Sequence, residues 1–145
     1  MSRRKSRIIA FQGLYSWNVG GIDEKDVLEL SWAKKDDGYD SLESDDETYA
    51  RLLISGTIEN ISEIDEKIKA HLKNWTMDRL NKVTLAILRM SVYSLLYTKD
   101  VKPSIIIDEA VDIAKSYGIE DSYKFINAVL DNIRKEIEAE TKQEN

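Results

Sequence analysis

Few residues in this chain could do covalent chemistry, and their spacing argues against it. His71 is the one histidine, and cysteine is absent. Disulfides and thiolate metal sites are therefore excluded, and one histidine cannot complete a zinc site. Serine–histidine catalysis would rest on His71 alone, which sits at the polar end of a helical pattern and reads as a surface residue. The acid pairs Asp36–Asp37 and Asp45–Asp46 fall in a turn-rich stretch and read as solvated charge. Asp108 and Glu109 are neighbours on a helix, so their carboxylates point about 100° apart, a poor geometry for sharing a proton. No glycine-rich phosphate loop occurs, and the acidic run at 35–46 lacks the register of a calcium loop. The pattern points to binding rather than catalysis, with no cofactor and no metal site.

The second chemical feature is charge. Arg3, Arg4, Lys5 and Arg7 precede every acid in the chain, the first of which is Asp23. The net charge is −6; without those four the remainder carries 17 basic against 27 acidic residues. A basic tip on an acidic body would hold an anion in one place and repel it elsewhere. The four residues also begin a helical pattern over 3–18, where the helix dipole prefers acids, a conflict of ~0.3–1 kcal/mol per charge. Either something outside the fold uses the charges, or the terminus is frayed and solvated.

The elements that position these groups are helical. Ile8, Phe11, Leu14 and Tyr15 form one stripe, and Gly20-Gly21 ends it. Asp23 can cap a helix over 24–34, and 35–46 reads as a polar surface loop. The apolar spacing over 47–72 predicts a long helix with a bend near Gly56 or Asn60. After a turn at 74–76, Thr76 or Asp78 caps a helix that is apolar nearly all round from Leu80 to Tyr97, the pattern of a buried central helix. Arg89 interrupts it and must be paired if buried, with Asp108 or Glu109 as the expected partner and a ligand phosphate as the alternative.

Pro103, the only proline, suits the first turn of the next helix. Gly118 is expected as its left-handed stop. Asp121 or Ser122 then caps a final helix carrying Ile126, Val129, Leu130 and Ile133. Phe125 lies at the edge of that stripe, Asn127 reads as an interior hydrogen-bonder, and the polar tail beyond Lys135 is expected to fray. The whole is all-α: six to seven helices in one domain, with an N-terminal half (1–73), a C-terminal half (74–138) and a frayed end (139–145). No run of 18 apolar residues and no signal-type segment is present, which fits a cytoplasmic protein.

Several of these stretches are familiar together. Arg-Arg-Lys-Ser-Arg at 3–7 precedes Ala10, Gln12, Leu14, Tyr15, Ser16 and Trp17. Ile87-Leu88-Arg89-Met90, Asp100-Val101-Lys102-Pro103, Ile107-Asp108-Glu109-Ala110, Tyr117-Gly118 and Lys124-Phe125-Ile126-Asn127 follow in order. This resembles the NusB family of bacterial transcription antitermination factors over about residues 3–135; the stretch at 33–46 matches nothing and reads as a variable insertion. The resemblance implies two small packed helical bundles and a non-catalytic adaptor. It implies a ribosomal protein partner, NusE, and single-stranded boxA-type RNA in nascent ribosomal transcripts, bound within an RNA polymerase antitermination complex with other Nus factors. It further implies RNA contacts at Arg3, Arg4, Lys5, Arg7 and Gln12 and at Asp121, Lys124 and Phe125. NusE contacts are implied at Tyr15 and Asp78 and near Thr84. Thr84-Leu85 stands where family members often carry an acid and a base, so a charge contact there is lost or replaced. Ala128 stands where glycine is common, asking for more room between helices. Some relatives dimerise, so a homodimer is a further expectation.

Two alternatives stand beside this reading. One is a relative of the RNA-binding domain of a ribosomal-RNA methyltransferase, for which 145 residues leave no room for a second, cofactor-binding domain. The other is a helical protein-interaction module without RNA, favoured by the acidic body and opposed by the arginine-rich tip.

Overall fold

The computed structural model of the chain describes residues 3–35, 44–73 and 75–144. Among them are eight α-helices, one 3-10 turn and no strand. The first helix, α1 (Arg4–Gly20), stops where Gly21 turns left-handed at φ 67°. The expected helix over 24–34 is two short ones, α2 (Glu24–Glu29) and α3 (Ser31–Lys35). Leu30 breaks them with a left-handed backbone (φ 59°) while its side chain is wholly buried. The backbone penalty of ~1–2 kcal/mol is offset by burial worth about as much or more. Asp23 occupies the cap position of α2 but its side chain makes no capping bond.

The long helix expected over 47–72 is likewise two, α4 (Ser44–Glu59) and α5 (Ile61–Lys69). The break falls at Asn60, whose Nδ2 donates to the Gly56 carbonyl at 2.8 Å. Gly56 itself stays helical, and its lack of a side chain lets an aromatic ring in: a Cβ would lie 2.2 Å from Tyr93 Cζ. Residues 44–46, expected in the loop, form the first turn of α4, and Asp46 is buried. The rest of the expected loop, 36–43, lies outside the described residues.

A 3-10 turn, Met77–Arg79, takes Thr76 as its own entry, so neither Thr76 nor Asp78 caps the central helix α6 (Lys82–Tyr97). That role falls to Asn81, whose side-chain oxygen accepts from the Val83 and Thr84 amides at 3.0 and 3.2 Å. Pro103 opens α7 (Pro103–Tyr117) as expected. Gly118 is extended (φ −85°, ψ 173°), not left-handed. It is small because a Cβ would meet Ser122 Oγ at 2.5 Å and the Ala114 carbonyl at 2.7 Å. The left-handed residue of the junction is Asp121, φ 65°. The last helix, α8 (Ser122–Glu144), continues regularly through the stretch expected to fray. Its far end is tied to α5 by Lys67, whose Nζ reaches Glu136 at 2.8 Å and Glu140 at 3.3 Å.

Helix α6 is the centre. It packs against α1, α4, α5, α7 and α8. Leu53 and Ile54 of α4, Ile87 and Leu88 of α6, Ile113 of α7 and Leu130 of α8 belong to one continuous buried cluster. The two halves thus share a core along α6. No helix among the described residues is long and apolar enough to cross a membrane.

Four side chains depart from their expected surroundings. Arg89 pairs with Asp65 of α5 and not with Asp108 or Glu109, because its face of α6 meets α5. Asn127 and Ala128 are exposed, so neither an interior hydrogen bond nor helix crowding arises there. His71 is half-buried and bonded through Nε2 to Glu136 of α8 at 2.5 Å.

Candidate functional site

The basic tip is the first turn and a half of α1, laid between the start of α4 and the middle of α7. Its three arginines are engaged. Arg4 donates from Nε to Glu109 Oε2 and from Nη2 to Asp112 Oδ2, both at 2.8 Å. The Arg4 guanidinium is pushed up from its ordinary value, chiefly by the Glu109 hydrogen bond. Arg7 is buried, with its side chain only 8% exposed, and Nη1 lies 3.7 Å from Glu109 Oε1. Arg3 stacks on the Tyr49 ring of α4 at 4.4 Å from its centroid and reaches the Asp45 carbonyl. Ser6, buried between them, donates to the Asp46 carbonyl at 3.0 Å. Lys5 and Gln12 are half-buried along the same helix.

The tip is therefore less positive than its sequence suggests. Asp45, Asp46 and Glu47 form the first turn of α4, and Glu109 and Asp112 come from α7. Arg3 and Arg4 keep a solvent-facing surface, and the Arg4 side chain is 48% exposed. Arg7, in contrast, is a strut that fixes α1 on α7.

The second patch is the α7–α8 junction. Asp121 and Lys124 are exposed and paired across one turn at 3.8 Å. Tyr123 lies beneath two ammonium groups, Lys115 at 4.9 Å and Lys124 at 5.9 Å from the ring centroid. Phe125 packs one side against the core and presents the other to a cleft of about 480 Å³. Trp75, Arg79, Leu80, Asn81, Thr84 and Ile119 share that cleft with it. Trp75 and Ile119 are each more than half exposed, so the cleft has an apolar wall open to solvent.

One helix links the two patches. α1 runs beside α7, with Arg4 against Glu109 and Asp112 and Phe11 edge-on to Tyr117 at 5.3 Å between centroids. Eight residues separate Glu109 from Tyr117, or about 12 Å of helix. Of the side chains expected to meet a protein partner, Tyr15 is 37% exposed on α1. Asp78 is exposed in the 3-10 turn, where a hydrogen bond from the Thr76 hydroxyl holds its carboxyl below the ordinary range. Thr84 is buried at 4% exposure, in the wall of the cleft that holds Phe125. Side chains expected for different partners thus line one cavity.

Sequence reasoning missed Glu109, Asp112 and Tyr49 as partners of the tip, and Trp75, Arg79 and Ile119 as walls of the cleft. A signal for the first existed: Glu109 and Asp112 are three apart and share a helix face. Trp75 was visible only as part of a turn. Among the described residues no group of acids and histidine could hold a metal ion.

Fold and surface together define a class: a small all-α protein presenting an arginine-bearing helix tip and an aromatic cleft, joined by one helix. The NusB family model matches residues 4–135, and the chain belongs to that family. It is 50% identical over 139 residues to the transcription antitermination protein NusB of Treponema denticola, covering 92% of this chain and 96% of the relative. It is 42% identical over 139 residues to NusB of Clostridium botulinum strain Kyoto, covering 90% and 97%. Among solved structures, NusB of T. maritima superposes with a TM-score of 0.81 at 35% identity, covering 94% of this chain and 92% of that one. A chain in a complex of antitermination factors NusB and NusE with double-stranded RNA superposes with a TM-score of 0.80 at 32% identity, covering 92% and 96%.

Proposed function

We propose that this chain is a non-catalytic transcription antitermination factor. With a NusE-type ribosomal protein it binds boxA-type RNA of nascent ribosomal transcripts and joins an RNA polymerase complex with other Nus factors in the cytoplasm. The observation that carries this is family membership together with the likeness to a chain solved beside NusE and RNA. The geometry supports a division of labour. Arg3, Arg4 and Lys5 supply phosphate contacts, with Gln12 further along the helix. Phe125 supplies a face on which one unstacked base rests, flanked by Lys124 and Asp121. Phosphate contacts position RNA without reading it, and the aromatic cleft is where base identity can be felt. Tyr15 and Asp78 supply the face for NusE, and Thr84 acts from within the cleft wall.

Burial of Arg7 changes the expected salt dependence. Four phosphate contacts to a single strand would give a slope of about −3; with Arg7 withdrawn, three give about −2. The test is fluorescence anisotropy of a labelled boxA-type strand, a scrambled strand and a duplex, with and without cognate NusE. Wild type is compared with an Arg3→Ala/Arg4→Ala variant. Preference for the boxA-type strand, strengthened by NusE and lost in the variant, is the expected result. Equal weak binding to all three, unmoved by NusE, would instead favour the protein-interaction module without RNA.

A further inference from the structure

We infer that Asp112 is an internal competitor for the RNA phosphate at Arg4, setting the affinity of the tip from within the protein. The inference rests on the RNA-binding reading above. Arg4 reaches two carboxylates that differ in kind. Glu109, with its side chain 20% exposed, bonds Arg4 and also stands 3.7 Å from buried Arg7, so it holds two arginines and the helix that carries them. Asp112 is 47% exposed and bonds only the outer edge of Arg4. It contributes little to holding the fold, since an ion pair this exposed to water is weak. Its oxygen nevertheless occupies the position, 2.8 Å from Nη2, that a phosphate oxygen would take.

A phosphate arriving at Arg4 must share that edge with Asp112 or displace it. Its negative charge also repels the next phosphate along the strand. Both effects lower the sequence-independent part of binding and make its salt dependence shallower. Asparagine at the same place keeps an oxygen that accepts from Arg4 and removes only the charge, so Asp112→Asn isolates the effect.

The experiment measures binding of the labelled boxA-type strand by the full chain with cognate NusE, over a salt series. Wild type, Asp112→Asn, Arg4→Ala and the double variant are compared. Asp112→Asn is expected to bind about two- to five-fold tighter at low salt. Its salt slope is expected to steepen by up to about 0.7. In the Arg4→Ala background the gain from Asp112→Asn should shrink by at least half, because the site of competition is gone. Asp112→Asn that binds no tighter than wild type overturns the inference. So does a gain of the same size with and without Arg4, which would mean general charge repulsion. Failure of the wild type to bind RNA at all is a separate result, and it would remove the functional reading and this inference with it.

Discussion

Arg89 donates from Nε and Nη2 to the two carboxylate oxygens of Asp65, each at 2.9 Å, and this fork ties the central helix α6 to α5. The two side chains are 12% and 20% exposed, so the pair is largely withdrawn from water. Removing one partner leaves a poorly solvated charge, which is costlier than losing the attraction alone. Arg89→Ala should destabilise the protein by about 2–4 kcal/mol. Urea unfolding should show a lower midpoint at unchanged slope. An Arg89→Met/Asp65→Leu variant should recover most of the loss, since neither charge is then stranded; no recovery would count against this account.

Glu136 predicts a pH dependence. Its carboxyl is held below the ordinary glutamate range, first by the Lys67 hydrogen bond and then by His71, while burial acts the other way. A group whose folded pKa is depressed stabilises the fold above its unfolded value, about 4.3 for glutamate. That contribution is lost as pH falls through the folded value. Stability measured by urea midpoints should therefore drop between pH 5 and pH 3, and Glu136→Gln should flatten the drop. An identical drop in both proteins would assign it to other carboxylates.

Gly56 tests the packing of α4 on α6. A methyl group there would fall 2.2 Å from Tyr93 Cζ and 2.5 Å from its hydroxyl. Gly56→Ala should cost ~1–3 kcal/mol by overpacking, against the usual gain from alanine in a helix. Combining it with Tyr93→Ala should make the two effects non-additive, with alanine at 56 then neutral or stabilising. Thermal denaturation of the four proteins reads this directly.

Phe125 separates recognition from folding. One side of its ring packs on the core and the other faces the cleft with Trp75. Phe125→Leu keeps most of the packing and removes the stacking face. RNA affinity should fall by the worth of one stacked base, ~1–3 kcal/mol. The melting temperature should move by only a few degrees. Loss of stability without loss of affinity would make Phe125 a plain core residue.

The elements whose boundaries are local chemistry could be read directly. Pro103 opens α7 and Gly21 closes α1, each because a residue's own backbone preference acts locally; of the two positions expected for the bend, Gly56 and Asn60, the structure takes Asn60, through a hydrogen bond four positions back. Boundaries that depend on burial could not. Leu30 breaks a helical pattern because its side chain is wanted inside, and Asn81 takes the cap because an unforeseen 3-10 turn precedes it.

The site divides in the same way. The chain alone carried the arginine run, the Phe125 edge and the family resemblance, since these are residue types in order along the sequence. Only the tertiary structure could decide what each charge meets. Arg4 finds Glu109 and Asp112 more than a hundred positions away. Arg89 finds Asp65 rather than the acids expected for it, and Thr84 and Phe125 come to share one cleft. Charge pairing is non-local, falls off steeply with distance and depends on burial. Its partners are therefore set by how the helices pack around α6.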